Sequence, residues 1–252
     1  MPSNFEIALE LVPNSFEGLL SDTRFARTGF AQISAINIPE MRSKSIKGHH
    51  AAEHLLKNGY DAIPHFRTID RSFEELCALI TPLIPLGLKS VLLISGDPSK
   101  DPNFKPSELT PVNAIPRLKA VFPGLKVYVG FDPYRQGFRA ELEYCRAKIA
   151  AGADGFFTQP FFSAPLLEAW LEQLAGTEVW VGVSPVTTES FKAYWEKTNQ
   201  VVFPQGFRID LASNCQNERD LLDLARKHGQ KAYLMPITVS TEEYLPALLP
   251  QA

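Results

Sequence analysis

Cysteine is scarce in this chain. The three that occur, Cys77, Cys145 and Cys215, are far apart and odd in number, so they form neither a zinc-ligand spacing nor a disulfide framework. A reducing cytoplasm is the expected compartment. No apolar run approaches the ~20 residues of a membrane-spanning helix. The opening MPSNFEIALE lacks a basic stretch followed by an apolar one, so no secretory leader is expected. An excess of positive charge is also missing. At a net charge of −3 there is no electrostatic footprint for nucleic acid or an anionic membrane. The 20 prolines are scattered, and no linker or low-complexity tract divides the chain, so one domain over 1–252 is expected. A glycine-rich loop after the first apolar run is absent too, since that run ends Glu10-Leu-Val-Pro-Asn14. A doubly wound nucleotide-binding sheet carries such a loop there.

What is present is a regular recurrence of short, β-rich apolar runs, at Phe5–Leu11, Phe30–Ala35, Ala62–Phe66, Ser90–Ile94, Lys126–Phe131, Gly155–Thr158, Glu178–Val183 and Lys231–Pro236. They are apolar over most of their length rather than strictly alternating, as parallel strands covered on both faces are. Amphipathic stretches lie between them. Ser72-Phe-Glu-Glu75 reads as a capping box opening a helix to about Ile80, while Phe138–Ala151 and Asn217–His228 end at Gly152 and Gly229, both suited to close a helix. Thr241–Leu249 reads as a closing helix. Alternating strands and helices over about 250 residues predict a (β/α)8 TIM barrel.

A barrel of this kind does its chemistry at the C-terminal ends of its strands. In chain order those ends carry Glu10; Ser34, with the strand reaching Asn37; His65, then Arg67; Ile94-Ser-Gly-Asp-Pro98; Gly130-Phe-Asp-Pro-Tyr134; Thr158-Gln-Pro-Phe-Phe162; Val183-Ser-Pro185; and Pro236-Ile-Thr238. Acid, imidazole, hydroxyl and amide groups mixed with aromatics make a small-molecule site. Glu10 is the sharpest of these signals, because an acid between leucines is costly unless it is paired or functional. Asp97 doubles as a turn former, His65 as a hydrogen-bonded rim residue, and Gln159 and Phe161 as ordinary packing. His50-Ala-Ala-Glu53-His54 matches a zinc-peptidase pattern, but it precedes the third strand on what should be an outer helix. It is read as a solvated face, and no metal is expected. Arg42, Lys44 and Lys47 form a local basic patch, read as solvated surface or a phosphate contact.

These strand ends, taken in order, resemble the methylenetetrahydrofolate reductase family. The pieces are Leu9-Glu10-Leu-Val-Pro13, Ala62-Ile-Pro-His65, Leu93-Ile-Ser-Gly-Asp97, Lys148-Ile-Ala-Ala-Gly-Ala-Asp154, Thr158-Gln-Pro-Phe-Phe162 and Gly182-Val-Ser-Pro185. The resemblance implies a flavin-dependent barrel in which NAD(P)H reduces FAD, and FAD then reduces 5,10-methylenetetrahydrofolate to the 5-methyl form, or the reverse. It implies Glu10 as general acid, with Asp97 stabilising a cationic intermediate. Gln159, Phe161 and Phe162 would hold the folate. Ser34, His65, Ser95, Gly96, Lys148 and Arg135 would hold the flavin. Assembly into a homo-oligomer is compatible with it.

The chain departs from the family pattern where phosphates are held. Ser95 replaces the arginine of Leu-Arg-Gly-Asp, and Ala147 precedes Lys148 where the family often has arginine. Each charge-assisted phosphate bond contributes about 1.5–3 kcal/mol, so FAD affinity would fall by powers of ten unless Arg135, Arg146 or Lys100 compensates. Two alternatives follow from the same residues. One is a flavin-free folate enzyme with direct hydride transfer; the other is a non-catalytic folate- or partner-binding barrel.

Overall fold

A computed structural model describes residues 5–99 and 101–249. Its strands are Ile7–Glu10 (β1), Ile33–Ile38 (β2), Ala62–Arg67 (β3), Ser90–Ile94 (β4), Lys126–Phe131 (β5), Gly155–Thr158 (β6), Val179–Val183 (β7) and Lys231–Leu234 (β8). Its helices are Phe16–Gly29 (α1), Gly48–Lys57 (α2), Phe73–Ile80 (α3), Pro111–Val121 (α4), Phe138–Ala150 (α5), Ala164–Gln173 (α6), Glu189–Thr198 (α7), Leu211–Lys227 (α8) and Thr241–Leu248 (α9). Each strand pairs in parallel with the next, and β8 closes on β1. The fold is the expected (β/α)8 barrel.

Local chemistry explains most of the boundaries. Ser72 and Glu75 form both halves of the capping box: the Glu75 N–H donates to Ser72 Oγ at 3.1 Å and the Ser72 N–H to Glu75 Oε2 at 2.7 Å. After α5 and α8 the chain turns through Gly152 (φ 98°) and Gly229 (φ 69°), a left-handed conformation that glycine adopts without a Cβ clash. Most strands differ from expectation by one to three residues at an end, and two boundary differences have a clear cause. β2 starts at Ile33 and runs to Ile38, because α1 continues to Gly29 and the Phe30 N–H caps it by donating to the Ala26 carbonyl. α8 starts at Leu211 rather than Asn217, with Asp210 accepting from the Ser213 N–H at 2.9 Å. α7, which no sequence expectation covers, sits between β7 and α8. It covers an aromatic group of Phe162, Trp195, Phe203 and Phe207.

The core has two shells. One lies between the barrel wall and its helices. The other fills the barrel itself with Ala8, Ala35, Ile63, Leu92, Tyr128, Phe157, Trp180, Tyr233 and Met235. Large aromatics come from β5 to β8 and small residues from β1 and β2, so the shell interdigitates. Phe157 and Trp180 stack with centroids 5.0 Å apart, and Tyr128 meets Phe157 edge-on at 5.2 Å. At the N-terminal end of the barrel, Glu178 Oε1 accepts from Tyr128 Oη at 2.6 Å and Trp180 Nε1 at 2.9 Å. Lys231 approaches Oε2 of the same carboxylate at 3.3 Å. This packed floor leaves the C-terminal mouth for chemistry.

Candidate active site

Glu10 is the last residue of β1 and pairs in register with Asn37 of β2. Strand alternation turns it inward, two residues above Ala8. Its carboxyl is enclosed by protein on most sides and keeps some access at the mouth. Burial pushes its pKa up to about 7, and a hydrogen bond from Tyr233 partly opposes the rise. Tyr233 is level with Ala8. The small side chain of Ala8 leaves room for the tyrosine to reach up, and its hydroxyl donates to Glu10 Oε2.

A second polar pair lies on β2 and β3. Asn37 is wholly buried, and its amide nitrogen faces His65 Nε2 at 3.3 Å. Asn37 Oδ1 has no partner. Burial drives the His65 pKa down to about 3, so the ring is neutral, and with Nε2 accepting from Asn37 its proton lies on Nδ1. Glu10 with Tyr233 and Asn37 with His65 thus form two hydrogen-bonded pairs gathered across β1, β8, β2 and β3. They contain a single acid able to change charge near neutral pH.

The other nominated residues divide. Gln159 is exposed on the rim after β6, and its backbone N–H is fixed to the Phe131 carbonyl at 2.7 Å. Asp97 is exposed in the loop after β4; its backbone carbonyl accepts from Arg67 Nη2 at 2.6 Å, which leaves the carboxylate toward solvent. Ser95 is half-buried, with its carbonyl accepting from the Ile69 N–H. Gly96 has φ 81°, and a Cβ there would lie 2.6 Å from the Arg67 guanidinium carbon, so that arginine lies directly against it.

Three expectations are corrected. Ser34 is not at the mouth: it is the extra residue where pairing slips between Ile7–Ile33 and Ala8–Ala35, near the N-terminal end of β2. Its hydroxyl faces the Ile7 carbonyl at 3.4 Å. The rim position it was given belongs to Asn37. Phe161 and Phe162 are 1% and 2% exposed and pack into the wall and the α7 aromatic group, so neither offers a face to a ligand. Lys148 is 3% exposed; its Nζ donates to the Gly130 carbonyl at 2.7 Å and lies over the Tyr144 ring. Burial lowers its pKa to about 8.

Arg135, also nominated for the flavin phosphates, donates to the buried Glu141 at 2.7 Å. Arg146 is exposed on α5, and Lys100 lies outside the described residues. The set nominated for FAD therefore does not fit that group, because its cations are spent on internal partners and its hydroxyl is at the wrong level. The sequence does not single out Tyr233, and it offers Asn37 only as the residue the second strand reaches. The available signal was polar tips at inward positions of apolar strands, visible only once the register is known. Asp132, half-buried after β5, was missed in the same way, and burial raises its pKa.

Among the described residues, no group of three or more His, Cys, Asp or Glu is placed to hold a metal. In the segment with the zinc-like pattern, Glu53 pairs with Lys57 at 2.6 Å and the His54 ring packs on Phe16. No described helix is long and apolar enough to cross a membrane.

Fold and mouth together define a (β/α)8 barrel with an elevated-pKa carboxyl and a neutral histidine at the C-terminal end of its strands. The sequence profile of methylenetetrahydrofolate reductase matches residues 40–228, and the chain belongs to that family. Glu10, Asn37 and Tyr233 lie outside the matched span, so their assignment stands on geometry. Among solved structures, a 2,3-dimethylmalate lyase of the PEP mutase/isocitrate lyase superfamily aligns at 12% identity and TM-score 0.59, covering 98% of this chain and 80% of that one. Oxaloacetate acetylhydrolase aligns at 12% and 0.57, covering 96% and 78%. At such identities these two share the fold alone.

Proposed function

We propose that the protein reduces 5,10-methylenetetrahydrofolate to 5-methyltetrahydrofolate with a hydride taken directly from NAD(P)H. The observation that carries this reading is Glu10. Opening the methylene bridge breaks a carbon–nitrogen bond, and an amine leaves poorly unless it is protonated. A carboxyl with a pKa of about 7 holds the required proton at neutral pH. Glu10 gives that proton to the departing nitrogen. The lone pair of the remaining nitrogen forms a carbon–nitrogen double bond, and the hydride adds to the iminium carbon with its electron pair, leaving a methyl group and oxidised nicotinamide. Asp97, negative at the rim, favours the cationic iminium. Gln159 offers donor and acceptor to the folate.

A second reading, hydride relay through FAD, is favoured by the family match over 40–228. The spent cations around Lys148 and Arg135 support the direct route instead. One preparation tests both. Purified protein is incubated with FAD, desalted and scanned in the visible range, then assayed for folate-dependent oxidation of NAD(P)H. A colourless, active protein is expected. A retained flavin spectrum would transfer the reaction to the relay, and absence of folate-dependent oxidation would leave the non-catalytic barrel.

The Tyr233 contact makes a separate prediction. The protonated form of Glu10 is the active one, so turnover should be level in mild acid and fall as pH rises through about 7. The Tyr233 hydroxyl stabilises the carboxylate, so Tyr233→Phe should move the falling limb to higher pH. A limb that does not move would remove Tyr233 from proton control.

A further inference from the structure

We infer, on the proposed reading of Asp97, that Arg67 is a positioning residue: from the end of β3 it reaches over Gly96 and fixes Asp97 at the mouth. Arg67 is the last residue of β3 and is 8% exposed. A guanidinium buried to that degree needs acceptors, and it takes them from two different loops. Nε donates to Asp70 Oδ2 at 2.5 Å, in the loop after β3, and Nη2 donates to the Asp97 carbonyl at 2.6 Å, in the loop after β4. Its backbone is held as well, with the N–H donating to Glu40 Oε2 at 3.0 Å.

Backbone pairing takes the start of the β4 loop only part of the way. The Thr68 N–H donates to the Ile94 carbonyl at 2.9 Å and the Ile69 N–H to the Ser95 carbonyl at 3.0 Å, so the β3–β4 ladder runs just past both strands. Asp97 lies beyond it. Among the described residues, Arg67 Nη2 is the one hydrogen-bond partner of Asp97. Gly96 makes the contact possible. Its φ of 81° is left-handed, which glycine adopts without a Cβ clash. A Cβ there would also lie 2.6 Å from the guanidinium carbon and 2.8 Å from Nη2, so any side chain at 96 would push that nitrogen off the Asp97 carbonyl.

The residue type matters because a guanidinium is planar and rigid. Fixing Nε on Asp70 sets the direction in which Nη2 points, and the point charge of a lysine could not hold both acceptors in one plane. Asp70 is itself fixed, since its other oxygen accepts from Arg42. Arg42, Asp70, Arg67 and the Asp97 carbonyl thus make a continuous brace from the loop after β2 to the loop after β4. The consequence is electrostatic. A carboxylate stabilises a developing cation best when it is in place before the reaction, and an exposed loop aspartate lacks that order unless its backbone is held.

Two measurements on the full chain test the brace and the reaction separately. By NMR relaxation, the Gly96 and Asp97 amides should have order parameters near ~0.85 in the wild type and fall toward ~0.6 in Arg67→Lys. In steady-state folate-dependent NAD(P)H oxidation, Arg67→Lys should lower kcat about 10- to 100-fold, the cost of a misplaced group, with KM for the folate within about threefold, as for an interaction made only in the transition state. Asp97→Asn should lower kcat on its own and add nothing in the Arg67→Lys background, because the two residues act as a unit. Gly96→Ala disturbs the same contact with Arg67 and Asp70 retained, and it should reproduce both results even where the lysine variant fails to fold. Order parameters unchanged in the variants overturn the inference, as does an Asp97→Asn loss of equal size in all backgrounds. Order parameters that fall as expected in a protein without folate turnover would keep the hold of Arg67 on Asp97 and remove only the folate reading.

Discussion

Replacing Glu10 with glutamine is expected to lower folate-dependent turnover by about 10²–10⁴-fold, the range of a positioned general acid, while the barrel stays folded. The amide keeps the shape and can still accept from Tyr233, but it has no acidic proton to give. Stability should move the other way above neutral pH. The wild-type carboxyl has a folded pKa of about 7 against an ordinary value of 4.5, so the native state loses stability as pH rises from the lower value toward the upper. The glutamine variant escapes this, and at pH 8 its Tm should equal or exceed that of wild type. Steady-state NAD(P)H oxidation and thermal unfolding on the same sample check both halves. Turnover within a few-fold of wild type would show that the acid lies elsewhere, with Asp132 the next to replace.

Gly182→Ala should be the most disruptive single-methyl change near the mouth. A Cβ there would lie 2.5 Å from the Thr158 carbonyl oxygen and 2.7 Å from Met235 Cε. The Thr158 contact is with the backbone of the adjacent strand and cannot rotate away. The Gly182 N–H also donates to Thr158 Oγ1 at 2.8 Å, so widening the gap breaks the tie between β6 and β7. Overpacking of this kind costs about 1–3 kcal/mol, or roughly 2–10 °C in Tm for a chain of this size. Gln159, the residue that follows β6, should shift with it and weaken folate binding. Gly124→Ala, where a Cβ meets nothing within 4 Å, is the control and should change stability by less than about 0.5 kcal/mol. Equal unfolding midpoints in the two variants would mean that β6 and β7 separate more easily than a packed barrel allows.

The contrast between Glu10 and Ser34 shows what can be read from residues in order. Glu10 stands out in the sequence because burying an acid among leucines carries a penalty that does not depend on the neighbouring strands. Ser34 stands in an apolar run whose linear order points to the rim, and one slipped residue in the β1–β2 pairing puts it near the floor. A one-residue slip reverses inside and outside, and no local signal marks where it occurs. Phe161 and Phe162 failed for a related reason. Their apolar faces suit a ligand and a core equally, and α7 with its following loop took Phe162 into the core.

By itself, the sequence determined the strand and helix alternation, the closed barrel it implies, the family, and the acid at the end of the first strand. The family rests on the resemblance of the strand-end segments; the others rest on periodicity, capping residues or local burial penalties, which act over a few residues. The tertiary structure alone decided that Tyr233 of the last strand serves Glu10 of the first. It also decided that Lys148 is occupied by Gly130. Those outcomes depend on barrel closure and register, which bring residues more than 200 positions apart into contact, and no spacing along the chain encodes that distance.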